Sequence, residues 1–299
     1  MSVFNNGGQI DVIIDIVGYY EALPASGNGP SGPAGGPGPA GPAGPAGPIN
    51  RISHDQIARL RWDQDPGRAA TYATGRAPFG VAYDGTSIWV ANNTSNTVSK
   101  IDPASGTKTD YPTGTGPYGV AFDGLSIWVA NFGSATVSKI DPATGTKTDY
   151  PTGTKPQGVA FDGTSIWVAD LFSNTVSKIN PATGTKTDYS TGSNPSEAAF
   201  DGTSIWVTND GSDTVSKINP ATGTKTDYST GINPYGIAFD GTSIWVTNLS
   251  ADTVSKINPA TGTKADYPVG AAPFGVAYNG TDIWVTNSSG NTVSKINPG

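Results

Sequence analysis

One stretch of this chain returns at a fixed interval, and that interval limits the fold more than any other feature. Residues 76–114 read RAPFGVAYDGTSIWVANNTSNTVSKIDPASGTKTDYPTG, and close copies follow to the last residue. Trp89, Trp128, Trp167, Trp206, Trp245 and Trp284 stand 39 residues apart. A period of roughly 20–50 residues marks a repeat architecture, in which each unit buries its apolar face against the next. Each copy holds four strand-like runs, in the first copy Gly80–Tyr83, Ser87–Ala91, Thr97–Ile101 and Thr107–Tyr111. They are cut by Asp84-Gly85, by the polar run Asn92–Asn96 and by Pro103–Gly106. Asp-Gly between apolar runs is a hairpin signal, because glycine takes positive φ without a Cβ clash. The second run is apolar on both faces, as a doubly covered strand must be. The fourth is polar and ends at a proline, which suits an outer edge strand.

Four short strands in about 40 residues match one blade of a propeller. The expected fold is therefore all-β, a six-bladed β-propeller of four-stranded blades over residues 66–299. The last copy, 271–299, lacks its fourth strand. Residues 66–75, PGRAATYATG, align one period upstream of 105–114, with Gly67, Tyr72 and Gly75 on Gly106, Tyr111 and Gly114. This N-terminal segment is expected to supply the missing strand and close the ring.

The text Pro-Phe-Gly-Val-Ala-Tyr-Asp-Gly (78–85), Ile-Trp-Val-Ala-Asn (88–92) and Thr-Val-Ser-Lys-Ile-Asp-Pro-Ala-Ser-Gly (97–106) resembles bacterial YVTN/NHL-type propeller repeats. More narrowly, it resembles the virginiamycin B lyase (streptogramin lyase)-like group. The resemblance covers roughly residues 66–299 and implies the fold more strongly than an activity, since one fold hosts many functions. In the lyases of that group, elimination relies on histidine and glutamate beside a divalent metal. Here residues 66–299 contain no histidine, and Glu197 is their one glutamate. No catalytic residue of the family can therefore be carried over.

Upstream of the repeats the text changes character. Residues 1–20 read as a β-hairpin or the remnant of a β-rich domain whose start codon was placed too late. The bland alternative is a short strand that packs on a partner chain. They lack a basic n-region and contain Asp11 and Asp15, so they do not read as a signal peptide. Residues 21–50 form a linker, within which residues 29–49 hold seven unbroken Gly-X-Y triplets. Strict glycine phase fits a collagen-like triple helix, because only hydrogen fits at its axis. A polyproline spacer is the equal alternative. A homotrimer through this run is the expected assembly on the first reading. Residues 51–65 read as a short helix, with Ser53 and Gln56 as a capping box. His54, the one histidine of the chain, falls in its first turn.

A net charge of −7 argues against nucleic acid as partner, since phosphate contacts need basic patches. No cysteine is present, which removes disulfides and thiolate chemistry. No apolar run is long enough to span a membrane. The expected location is extracellular or at the surface of a bacterial cell, with the cytoplasm as the alternative.

Differences between the copies carry what functional signal there is. The Asp-Gly and Pro-Ala-Thr-Gly turns barely change and share one face of the ring. Variation gathers on the opposite face, before the first strand and after the second. Phe79, Tyr118, Phe132, Leu171, Phe172, Asp210, Tyr235, Leu249 and Phe274 sit there as candidate ligand-binding residues. Neutral drift in tolerant loops is the competing explanation. Glu197 replaces the glycine of Pro-x-Gly in the fourth copy. With Asp170, Asn209 and Asn248 it forms a candidate set of hard oxygen ligands for Ca²⁺ or Mg²⁺. Strand-end caps that bond loop backbone are the favoured reading of the asparagines. The tryptophans, flanked by Ile and Val, read as inter-blade core.

Two functions follow. The first is a non-enzymatic binding or adhesion module on a collagen-like stalk, taking a glycan, protein or small molecule through its variable face. The second is a metal-dependent carbon–oxygen lyase of the streptogramin type. The missing histidine favours the first.

Overall fold

The computed structural model describes residues 71–299. The expected hairpin at 1–20, the Gly-X-Y run at 29–49, the helix at 51–65 and the start of the closing segment at 66–70 lie outside the described residues. Residues 71–299 form 23 strands in six sheets, with no helix among them. The first sheet is β1 (Pro78–Tyr83), β2 (Ile88–Asn92), β3 (Thr97–Ile101) and β4 (Lys108–Pro112). The second is β5 (Pro117–Phe122), β6 (Ile127–Asn131), β7 (Thr136–Ile140) and β8 (Lys147–Pro151). The third is β9 (Pro156–Phe161), β10 (Ile166–Asp170), β11 (Thr175–Ile179) and β12 (Lys186–Ser190). The fourth is β13 (Pro195–Phe200), β14 (Ile205–Asn209), β15 (Thr214–Ile218) and β16 (Lys225–Ser229). The fifth is β17 (Pro234–Phe239), β18 (Ile244–Asn248), β19 (Thr253–Ile257) and β20 (Lys264–Pro268). The last is β21 (Pro273–Tyr278), β22 (Ile283–Asn287) and β23 (Thr292–Ile296).

Each sheet is an antiparallel meander in chain order, so its strands alternate in direction from the first outward. First strands of successive sheets pack on one another, β1 on β5, β5 on β9, and so on to β21. The six sheets thus follow one another around their first strands, as the blades of a propeller do.

The Asp-Gly turns do two jobs. Asp84 Oδ1 accepts the N–H groups of Thr86 and Ser87 at 2.8 and 2.7 Å, which fixes the turn. Gly85 sits at φ 95°, a conformation that glycine adopts freely. Asp84 Oδ2 then accepts the indole N–H of Trp89 at 2.7 Å, so the buried ring has no orphan donor. The same bond joins Asp123 to Trp128, Asp162 to Trp167, Asp201 to Trp206 and Asp240 to Trp245. These five tryptophans are fully buried. The first packs against Val120, Ile127, Val129 and Ile140 of the second blade, and the pattern repeats around the fold. The core therefore lies between blades, as the sequence predicts. A lysine ties each seam between consecutive blades. Lys100 Nζ lies 5.5 Å from the Trp89 ring and donates to the Pro142 carbonyl of the next blade at 2.8 Å.

The seam at the chain ends differs. The last sheet has three strands among the described residues. Val293 of β23 is 45% exposed, where its counterpart Val98 is buried. Yet residues 72–76 already sit on the first blade as each fourth-strand end sits on the following one. Gly75 N donates to Asn92 Oδ1 at 2.9 Å, as Gly114 N does to Asn131 Oδ1 at 3.0 Å. Arg76 N donates to Ser95 Oγ, the counterpart of the Thr115–Ser134 bond. The Tyr72 hydroxyl donates to the Pro103 carbonyl at 2.8 Å, the carbonyl that a lysine holds at other seams. Residues 71–75 adopt no strand.

Candidate functional site

The site begins with an irregularity repeated in every blade. Pairing between the first and second strands slips at Pro-x-Gly, as between Pro78 and Val81 in β1. A bulge at that point twists the strand and re-aims the x side chain. The glycine permits a close approach of the neighbouring blade. A Cβ on Gly119 would lie 2.3 Å from the Gln157 carbonyl oxygen. First strands therefore converge tightly, and their x residues gather where the variable loops lie.

Those x residues are Phe79, Tyr118, Gln157, Ser196, Tyr235 and Phe274. Phe79 packs on Tyr118 with ring centroids 4.5 Å apart, and Tyr118 on Phe132 at 6.1 Å. Tyr235 packs on Phe274 at 4.1 Å. The two aromatic groups meet where the Tyr118 and Tyr235 hydroxyls approach to 2.5 Å. These tyrosines belong to the second and fifth blades, 117 residues apart in sequence. Their contact spans the fold at the mouth of the central channel. Below it the first strands of the second to sixth blades enclose a cavity of about 40 Å³, room for a few waters.

Glu197 lies in this cavity wall with Tyr235 and is 7% exposed. Its Oε2 occupies space that Gly158 leaves open, 2.8 Å from where a Cβ on that glycine would sit. Its backbone N–H donates to Thr208 Oγ1, which in turn donates to the Tyr235 carbonyl at 2.8 Å. Burial, and then the nearby negative charge of Glu197, hold the Tyr118 and Tyr235 hydroxyls well above the ordinary tyrosine range. Both phenols stay neutral. Gln157, also 7% exposed, has an Oε1 that is buried and accepts no hydrogen bond.

The remaining candidates stand on the loops of the same face. That face is confirmed by backbone bonds between the two variable connections, such as Phe132 N to Gly116 O and Leu249 N to Asn233 O. Phe172 projects outward and is 62% exposed, while Leu171 and Leu249 are half-buried. Asp210 is held by Asn233 Nδ2 at 3.0 Å. The Lys155 ammonium lies 4.4 Å from the Phe132 ring centroid.

Asp170, Asn209 and Asn248 occupy one equivalent position, the end of the second strand, in three different blades. Asn209 Nδ2 donates to Thr214 and Ser216, and its Oδ1 accepts Gly192 N–H. Asn248 makes the same three bonds to Thr253, Ser255 and Gly231. Each asparagine pins its second strand to the third strand and to the end of the preceding blade. Asp170 fills that position in the third blade. Burial pushes its carboxyl up to about 7, although the Ser177 hydroxyl and the Gly153 N–H pull it down. Its Oδ1 feels that N–H without reaching hydrogen-bond geometry. Among the described residues no cluster of three His, Cys, Asp or Glu side chains is present.

Sequence reasoning passed over Gln157 and Lys155. The signal for Gln157 was available: the x position is aromatic in four copies and polar in the third and fourth, next to Glu197.

No family profile matches the chain, and no curated relative does. Solved structures do. A streptogramin B lyase superposes with a TM-score of 0.64 at 21% identity, covering 74% of this chain and 83% of that one. This chain is a β-propeller. Virginiamycin B lyase from Staphylococcus aureus gives 0.62 at 19% identity over 74% and 84%. A putative 6-phosphogluconolactonase from Bacteroides uniformis gives 0.61 at 19% over 77% and 83%. Identities this low establish the propeller and leave the chemistry to the residues of this one.

Proposed function

We propose that this propeller is a non-catalytic binding module whose ligand enters through the variable-loop face at the channel mouth. One observation carries the reading: aromatic side chains from the first, second, fifth and sixth blades converge there around a buried glutamate. Aromatic rings supply contact area with little conformational entropy to lose, which is why they dominate binding hot spots. The described residues contain no histidine, the side chain that most often transfers protons in general acid–base catalysis. In this reading residues 29–49 form a collagen-like stalk that presents the propeller outside a bacterial cell. Trimerisation of that stalk would multiply weak single-site binding.

The test is an array of glycans, proteins and small molecules probed with the full chain. A ligand retained by the parent chain and by Leu125→Ala, but lost by Phe132→Ala, is the expected result. Leu125 is 82% exposed on a turn of the opposite face, so it reports non-specific stickiness. Loss with Leu125→Ala and not with Phe132→Ala would place binding on the other face. Linearisation of a streptogramin B by the full chain with Mg²⁺ would replace the binding reading with that of a lyase.

A further inference from the structure

Charges on the rim are paired, and those on the connections of the variable face are not. Each outer strand of the rim closes its own ion pair, as Lys108 does with Asp110 and Lys186 with Asp188, both at 2.7 Å. The connections of the variable face carry Arg76, Lys155, Asp210, Asp213 and Asp252. Among the described residues none of these five is in an ion pair. They are also separated by sign. Arg76 N donates to Ser95 Oγ, which seats it on the first blade, and the Lys155 ammonium stands over Phe132 of the second. Asp210 and Asp213 follow β14 of the fourth blade, and Asp252 follows β18 of the fifth. The hydrogen bonds of these acids go to neutral groups. Asn233 Nδ2 donates to Asp210 Oδ1, Asn233 N to Asp213 Oδ1 and Ala272 N to Asp252 Oδ1. Between the cationic and the acidic blades the third presents Phe172, 62% exposed.

We infer that the partner of this face is a second copy of the chain, docked face to face about a two-fold axis. This names the partner of the proposed binding face and rests on that reading. In a two-fold contact residue i meets j and j meets i, so one face must carry both halves of every pair. The variable face does. With the axis through the third and sixth blades, the first blade of one copy lies on the fifth of the other, and the second on the fourth. Arg76 then faces Asp252 of the second copy, and Lys155 faces its Asp210 and Asp213. Each of these pairings occurs twice. Phe172 falls near the axis and meets its own counterpart, an apolar anchor inside a charged rim. Other rotations set like charges together or leave a cation opposite a neutral loop. Exposed ion pairs add little affinity, and their work here is to choose this register over the others. The chain enters the first blade from the repetitive side, since Tyr72 reaches Pro103 in a turn of that face and Gly75 reaches Asn92 at the end of β2. Two docked copies therefore receive their chains from opposite sides, the arrangement in which heads borne on facing surfaces meet.

The experiment is sedimentation velocity of the full chain over a range of concentrations, in low salt and at about 1 M NaCl, where charges are screened beyond ~3 Å. The chain should show a concentration-dependent doubling of mass that weakens about tenfold or more in the higher salt. Arg76→Glu combined with Lys155→Glu should weaken that step by about tenfold or more, and Phe172→Asp should remove it. Asp213→Asn combined with Asp252→Asn keeps the oxygens that hold the loops and removes the charges. It should weaken the step several-fold with the circular dichroism unchanged. Leu125→Asp, on the opposite face where Leu125 is 82% exposed, should leave the step as it is. Association through the Gly-X-Y run is untouched by these substitutions, so the step that they remove is the one that counts. A mass unchanged by Phe172→Asp and by the double glutamate variant overturns the inference. A step indifferent to salt, or one lost with Leu125→Asp, overturns it too. A foreign array ligand that depends on Phe132, in a chain without the step, would refute self-pairing while leaving the binding face standing.

Discussion

Asp170 differs from the asparagines at its five equivalent positions by one oxygen in place of one nitrogen. That exchange removes a donor. In the asparagine blades Nδ2 donates to a serine, and the serine hydrogen goes on to an aspartate, as from Asn92 to Ser99 to Asp110. In the third blade Ser177 Oγ stands 2.7 Å from Asp170 and 2.8 Å from Asp188, with one hydrogen for two carboxylates. A protonated Asp170 restores the missing donor, in keeping with its carboxyl being pushed up to about 7 by burial. The folded chain then holds a proton that the unfolded chain releases near the ordinary value of 3.8. Stability should therefore fall as pH rises from about 4 through 7 and level off above. Asp170→Asn should raise stability at pH 8 by about 2–4 kcal/mol and change little below pH 4, measured by urea unfolding across pH. Identical stabilities at pH 8 would contradict it. Asp84 and Asp240 act in the opposite sense. Burial alone would raise them, but hydrogen bonds from Trp89 and Trp245 and from turn N–H groups outweigh it and hold both low. Their contribution is present above 3.8 and lost as acid titrates them. In the sequence, Asp170 stands out as a departure from the repeat. Its protonation depends on burial between strands, which a linear text does not display.

At the scale of the element, the connection between the second and third strands turns on one residue in the left-handed region. That residue is Asn96, Ala135, Asn174, Asp213, Asp252 and Asn291, with φ between 50° and 56°. Asparagine and aspartate tolerate this conformation, and alanine does so at a cost. They also bond the next connection: Asn96 Oδ1 accepts Gly116 N–H at 2.8 Å, and Asn174 Oδ1 accepts Asn194 N–H at 2.9 Å. Ala135 has no side-chain oxygen to make that bond. Ala135→Asn should stabilise the chain by about 1 kcal/mol through a bond to the Lys155 N–H. A loss of stability in denaturant unfolding would show that the second blade holds its loop by other means. Strand positions and turns were legible because Asp-Gly and the alternation of Thr-Val-Ser-Lys-Ile state them locally. The bulge at Pro-x-Gly was not, since it is a property of the pairing between two strands. The asparagines, read in the sequence as strand-end caps or as oxygen ligands, bond a glycine N–H and a serine at fixed offsets, as caps do.

For the whole molecule, the 39-residue period foretold blades with tryptophan between them, and five tryptophans lie there fully buried. The meeting of the second and fifth blades was not legible, because no local rule links Tyr118 to Tyr235. The ends of the chain bear on stability. Tyr72 and Gly75 anchor the N-terminal segment to the first blade through Pro103 and Asn92. A chain shortened to begin at Arg76 should melt at a lower temperature than the full chain, and equal melting temperatures would show that the anchor adds nothing. The central claim is that Tyr118 and Tyr235, on first strands three blades apart, meet side chain to side chain over the mouth. Ruthenium photo-oxidation couples tyrosines whose rings touch, and peptide mapping identifies the pairs. The full chain should yield a Tyr118–Tyr235 dityrosine within one molecule. Coupling absent between Tyr118 and Tyr235, with other tyrosines coupled in the same sample, would contradict it.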